Sequence, residues 1–206
     1  MNDVPKLTPM QTDLLREVTN VGAGHAATAL AQLAGARISI DVPKVWIAPL
    51  LQIVERASTD GEDVVVVSMR VLGDLVGQIL FVMRAASAAR LLDILLRRPA
   101  GTSTINGTME RSGLQETGNI LASSFLNALA RWMGKILLPS VPTVAIDKSD
   151  AVTRQVRGHD QDAVLAVETA FLMGDDSATA ERITGVFVFL LEGPSLEAIL
   201  TALRVR

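Results

Sequence analysis

The sequence predicts an α/β fold of the α+β kind. Two pseudosymmetric repeats, each running helix, strands, hairpin and helix, share a mostly antiparallel sheet. Three observations lead there. The pattern Asp13, three residues, Glu17, two residues, Asn20, twenty-two residues, Pro43 recurs as Ser112, Glu116, Asn119 and Pro142, displaced by 99 residues throughout. A hairpin strand, Gly77-Gln78-Ile79-Leu80-Phe81-Val82, aligns with Gly185-Val186-Phe187-Val188-Phe189-Leu190 at a displacement of 108. Hydrophobic residues make up 49% of the 206-residue chain, enough to bury a substantial core.

Residues 8 to about 34 form a helix on this reading, with Thr8 or Thr12 as its cap, Pro9 in the first turn and Gly35 as its stop. At about 100° per residue, Leu14, Leu15, Val18, Val21, Ala29 and Leu33 share one side. Asp13, Glu17 and Asn20 fall within roughly a 60° wedge on another. Arg37 to Ile40 is a short strand, Val42 to Val45 extended chain, and Lys44 to Leu50 a possible further strand. Asp60-Gly61 and Gly73-Asp74 are turns. Asp63–Val71 and Leu75–Met83 make a hairpin, and Ser87 to Leu96 a helix that ends before Pro99.

Residues 99 to about 107 are small and polar and link the halves; the programme then restarts. A helix from about 108 to Met133 stops at Gly134, Lys135–Leu138 is the short strand, Ala163–Met173 and Ile183–Leu191 the hairpin, and Pro194–Leu203 the closing helix. Nine extra residues fall around Met173 to Thr179, where turn composition makes insertion cheap. Residues 1–206 are thus expected to be one domain, with repeats over about 8–98 and 108–205.

Composition excludes several functions. The net charge of −3, with no basic cluster beyond Arg97-Arg98 and Arg204-Val205-Arg206, argues against nucleic acid. The absence of cysteine removes disulfides, thiolate catalysis and cysteine-held metals, and fits a reducing cytoplasm. No signal peptide precedes Met10. The uncharged run Val18–Ala36 holds Thr19, Asn20, His25, Thr28 and Gln32, which are too costly for a membrane span. With 3% aromatic residues, stacking platforms are not expected.

No self-sufficient catalytic set is present either. His25 and His159 stand apart, and His25 falls near the apolar side of its helix, where a packed or hydrogen-bonded role outweighs a catalytic one. No metal is expected, because no histidine pair has ligand spacing. Gly22-Ala23-Gly24 lies inside a helical pattern and reads as close helix packing rather than a phosphate loop. An exposed Glu and Asn are ordinarily just solvated. Yet both are identical in the two copies, while neighbouring pairs such as Arg16/Gln115 and Lys44/Thr143 differ. An Asn amide can accept from and donate to a water, holding it in line with a phosphoryl group, because phosphoryl transfer is mainly positioning and charge stabilisation. A Glu one turn away can pair with a partner's cation. The motif therefore reads as half a site, completed by another protein.

The doubled Asp/Ser-x3-Glu-x2-Asn-x22-Pro pattern resembles the CheC/CheX/FliY family of chemotaxis phosphatases, as do the stretches Val21 to Leu30 and Leu138-Pro139-Ser140-Val141-Pro142. Two motifs in a chain of this size are similar to the CheC-type members. The resemblance implies dephosphorylation of the phosphorylated response regulator CheY. Asn20 and Asn119 would orient the attacking water, and Glu17 and Glu116 would contact the regulator's active-site lysine. Mg²⁺ would sit in the regulator and no cofactor in this chain. It also implies a CheD deamidase partner, a cytoplasmic location and a monomer. Asp13, Ser112, Pro43 and Pro142 would support the motif, the prolines as markers of the fold at the start of the strands that follow. His25 departs from the family, where Asn is expected. The rival reading is an adaptor that binds a receiver domain or CheD with little catalysis. A scaffold in which the exposed pair has no purpose is the third.

Overall fold

A computed structural model describes residues 7–50, 52–53, 62–148, 163–173, 181–191 and 193–203. The elements run α1 (Pro9–Ala34), β1 (Ile38–Pro49), β2 (Asp63–Gly73), β3 (Gly77–Arg84) and α2 (Ala85–Leu95), then α3 (Thr108–Met133), β4 (Leu137–Pro139), β5 (Thr143–Lys148), β6 (Ala163–Met173), β7 (Glu181–Leu191) and α4 (Gly193–Ala202). The predicted mixed fold with an antiparallel sheet is the one found. Asp60-Gly61, His159, the stretch 174–180 of the insertion and Arg204 to Arg206 lie outside the described residues.

Helix ends follow local chemistry. Thr8 caps α1, its hydroxyl accepting from the Gln11 amide while the Gln11 side chain accepts from the Thr8 amide. Gly35 and Gly134 close α1 and α3 in the left-handed region, at φ 64° and 66°, where a side chain would be strained. Arg97 secures the end of α1 from outside, its Nε donating to the Ala34 carbonyl at 2.9 Å.

Among the described residues, seven strands form one sheet in the order β1-β6-β7-β3-β2-β4, with β5 also on β2, and every pairing is antiparallel. The order reads the same from either edge when each strand is exchanged for its counterpart in the other repeat. The twofold relation therefore passes between β3 and β7. The repeats also exchange strands: β1 of the first lies on β6 of the second, and β4 and β5 of the second lie on β2 of the first.

Helices α1, α2, α3 and α4 contribute to one core on one face of the sheet. Phe81, Phe125, Phe187 and Leu91 are among its buried members, with Ile199 from α4. The other face carries a second apolar cluster of Val64, Val66, Leu80, Val82, Ala166 and Val188, with Leu50 and Ile53.

Three expectations need correction. Strand β1 is continuous from Ile38 to Pro49, so Pro43 lies inside a strand rather than at the start of one. Its register against β6 shifts between Asp41 and Lys44, and this irregularity absorbs the amide that proline lacks. In the second repeat the same place is a true break, and Pro142 directly precedes β5. On α1, Val21 and Leu33 are 49% and 44% exposed, whereas the buried stripe runs through Leu15, Val18, Gly22, Ala26, Leu30 and Ala34. Small residues face the core because α1 packs closely on α3. A Cβ on Gly22 would come within 2.9 Å of the Phe125 Cα. Gly24, by contrast, has nothing within 4 Å and takes no part in that packing.

Candidate functional site

The two motifs sit on α1 and α3, on the faces turned away from the sheet. Asp13, Glu17 and Asn20 are exposed, as are Ser112 and Glu116, and Asn119 is half-buried. Leu15, Val18 and Thr19 interleave with the first set and are buried; Leu114, Thr117 and Gly118 do the same for the second. Alternation at helical spacing thus anchors each helix by one side and displays the acid and the amide on the other. Buried hydroxyls between them are satisfied within the helix: Thr19 Oγ1 donates to the Leu15 carbonyl and Thr117 Oγ1 to that of Gly113, both at 2.8 Å.

Glu17, Asn20, Glu116 and Asn119 take part in no side-chain hydrogen bond or ion pair among the described residues. Each carboxylate and each amide keeps its full hydrogen-bonding capacity for an incoming partner. Ser112 is spent locally, donating to the Thr108 carbonyl at 3.0 Å. Pro142 is tied to the motif helix, because Gln115 Nε2 donates to its carbonyl at 3.2 Å. The loop that carries the motif proline is therefore held on the helix that carries the motif acid and amide.

The linker fixes where α3 begins. Asp93 on α2 is buried and accepts from the amides of Gly101 at 2.6 Å and Ser103 at 2.7 Å, and from Arg90 at 2.9 Å. Burial alone would raise its pKa; the amides and the Arg90 guanidinium outweigh it and hold the carboxyl down at about 2. Arg98 grips Glu110 in the first turn of α3 and holds that carboxyl below the usual range.

The start of α1 lies beside the end of α3, and a groove runs between them. Leu14, Glu17 and Val21 line one wall, with Arg131 and Trp132 on the other. The sequence did not single out Arg131 or Trp132. The signal available was that Trp132 is one of two tryptophans and that its counterpart at the 99-residue offset is Leu33, not an aromatic residue. Met10 and Met109 were missed as well; they are equivalent, identical and each 61% exposed in the first turn of a motif helix. His25 is exposed rather than packed, because it lies beyond the edge of the buried stripe. With Asn127 and Arg131 it lines a separate surface pocket. Among the described residues, no group of three or more His, Asp or Glu side chains is placed to hold a metal, and no helix is long and apolar enough to cross a membrane.

Known proteins resemble this chain in sequence and in fold. Residues 10–47 and 109–146 each match the CheC-like family, one match per repeat. The CheY-P phosphatase CheC of Bacillus subtilis is 40% identical over 146 residues, which span 69% of each chain. Among solved structures, Thermotoga maritima FliY superposes with a TM-score of 0.78 at 22% identity, covering 96% of this chain and 98% of that one. A chain of the CheX–CheY–BeF3–Mg²⁺ complex from Borrelia burgdorferi superposes with a TM-score of 0.52 at 16% identity, covering 85% of this chain and 97% of that one. The two structural likenesses speak to the fold alone.

Proposed function

The chain belongs to the CheC-like family, and from that premise we propose that it hydrolyses the phosphoaspartate of a CheY-type receiver domain at two sites, Glu17 with Asn20 and Glu116 with Asn119. The observation that carries this reading is the pair of acid-and-amide sets, identical in both repeats, exposed on helix faces except for the half-buried Asn119, and engaged by no other described side chain. Such a set has nothing to attack with. It can only complete a site that brings its own electrophile.

Each residue then has one task. The Asn side chain hydrogen-bonds the attacking water, its Oδ1 accepting from the water's O–H, and holds that water in line with the phosphorus. The Glu carboxylate pairs with a lysine of the receiver and thereby sets where the amide lands. Mg²⁺ belongs to the receiver, beside the phosphoaspartate, and supplies charge neutralisation there. The chain acts in the cytoplasm as a monomer of one domain, and a CheD deamidase is a further partner on the family resemblance.

The test is loss of phosphate from phosphorylated CheY with sub-stoichiometric protein. Asn20→Ala and Asn119→Ala should each lower turnover at their own site by about 10²–10³-fold, by analogy with loss of a transition-state hydrogen bond. Either single-site enzyme keeps the activity of the other site. The quadruple variant Glu17→Ala/Asn20→Ala/Glu116→Ala/Asn119→Ala should be inactive. Full activity in that variant would refute the assignment, and stoichiometric binding without turnover by the unaltered chain would favour the adaptor reading.

A further inference from the structure

We infer that the groove between the start of α1 and the end of α3 recognises the receiver at the first site only, with Arg131 and Trp132 as its specificity-determining residues. This rests on the phosphatase reading above and extends it: the two sites share their chemistry but differ in how they hold the substrate.

The groove is continuous with the site, since Glu17 lines it. A protein surface that meets Glu17 must also pass over the opposite wall. That wall offers an exposed arginine and a half-buried tryptophan. Arg131 forms no hydrogen bond or ion pair among the described residues, so its guanidinium is available. Buried Val18 and Ala128 give the groove an apolar floor, and Leu14 and Val21 extend it up the wall beside Glu17.

The occupant is the face of the receiver around its phosphoaspartate. A phosphoryl group brings close to two negative charges, onto a surface that must already carry carboxylates to hold Mg²⁺. With Glu17 paired to the receiver's lysine, Asp13 repels such a face; Arg131 compensates, and its planar fork suits carboxylate and phosphate oxygens. Trp132 adds the kind of large, rigid contact that dominates interface energetics.

The second site lacks both residues. The 99-residue offset puts Gln32 where Arg131 stands and Leu33 where Trp132 stands. Both are exposed, Leu33 by 44%, so the two equivalent positions carry no charge and no aromatic ring. The first site should therefore bind the phosphorylated receiver more tightly and lose affinity more steeply with salt.

The experiment uses the full chain as two single-site enzymes, Asn119→Ala retaining the first site and Asn20→Ala retaining the second. In the Asn119→Ala background, Arg131→Gln/Trp132→Leu should raise KM for phosphorylated CheY by roughly five- to tenfold and flatten its salt dependence, with kcat within about twofold. In the Asn20→Ala background the same pair should shift KM by less than about twofold, because Gln32 and Leu33 flank the surviving site. The reciprocal transplant, Gln32→Arg/Leu33→Trp in the Asn20→Ala background, should lower KM and steepen its salt dependence. This arm keeps the inference testable even where loss of Trp132 weakens the fold. Equal KM values for the two single-site enzymes, or equal losses in both backgrounds, would overturn it. Binding of beryllofluoride-activated CheY to Asn20→Ala/Asn119→Ala separates this inference from the proposed activity. Weaker binding on adding Arg131→Gln/Trp132→Leu supports the groove even if no variant hydrolyses phosphate. Unchanged binding sinks the groove and leaves the activity standing.

Discussion

Gly118 occupies the buried side of α3 between Glu116 and Asn119, and its counterpart in α1 is Thr19. The two repeats fill this position differently because their floors differ. A Cβ on Gly118 would lie 2.5 Å from Val67 Cγ1 on β2, so α3 sits against the sheet at a distance only glycine permits. Gly118→Ala should destabilise by about 1–3 kcal/mol, measured by denaturant unfolding. It should also lower hydrolysis in the Asn20→Ala enzyme, which relies on the second site, far more than in the Asn119→Ala enzyme. Asp93 carries a second prediction. Its folded pKa of about 2 lies below the ordinary value. The stability it contributes is fully present above about pH 4 and is lost as pH falls toward about 2. Asp93→Asn should therefore lower stability at pH 7 and shrink the loss between pH 4 and pH 2. An unchanged acid profile would remove Asp93 from this role. At this scale the motif residues were legible because polar side chains on an exposed wedge need only helical geometry. Val21, Leu33 and His25 were misplaced because a wheel assigns the largest apolar residues to the core. Here α1 packs closely on another helix at Gly22, which pushes larger side chains to the groove rims.

Elements were legible where their ends are set by neighbours in sequence. The start of α1 depends on the reciprocal bonds of Thr8 and Gln11, and both long helices end on glycines in the left-handed region. Thr8→Ala should cost about 1 kcal/mol of stability. Because the cap lies one turn before the first motif, hydrogen exchange should quicken over residues 10–13 while α3 is unaffected. Protection unchanged in that turn would mean that packing, not the cap, holds it. Helix α3 starts differently: Gly107 makes no side-chain cap, and the Arg98–Glu110 pair holds the first turn instead. Strand β1 was harder to read. Proline suggested a boundary, but a register shift against β6 lets the strand run through Pro43, and that partner lies more than a hundred residues away. Nothing local distinguishes this from the break before β5, where β4 and β5 cover successive stretches of β2 and Ser140 Oγ accepts from the Arg70 amide between them.

On the scale of the molecule, duplication was visible in the sequence and strand exchange was not, since pairing between repeats leaves no periodic trace in either. The exchange has a mechanical consequence. Separated from the other, each repeat would lose the strand that covers its own hairpin: β2 would lose β4 and β5, and β6 would lose β1. The central β3–β7 pairing would go too, and the close approach of α1 to α3 at Gly22 with it. Exposed strand edges and an uncovered helix face are not compatible with a stable fold of either half. Fragments 1–104 and 105–206 keep Asp93 with the Gly101 and Ser103 amides it binds, so the cut spares that anchor. Each fragment alone should show no cooperative thermal transition. On mixing, the near-ultraviolet signal of Trp46 in one and Trp132 in the other should appear together, with recovery of the intact fold's transition. A fragment that unfolds cooperatively by itself would show that the repeats are independent units. The two motifs would then be two separable sites. If the fragments instead fold only together, each site depends on both repeats, because the wall facing Glu17 is built from α3 and the helix carrying Asn119 leans on β2 of the first repeat.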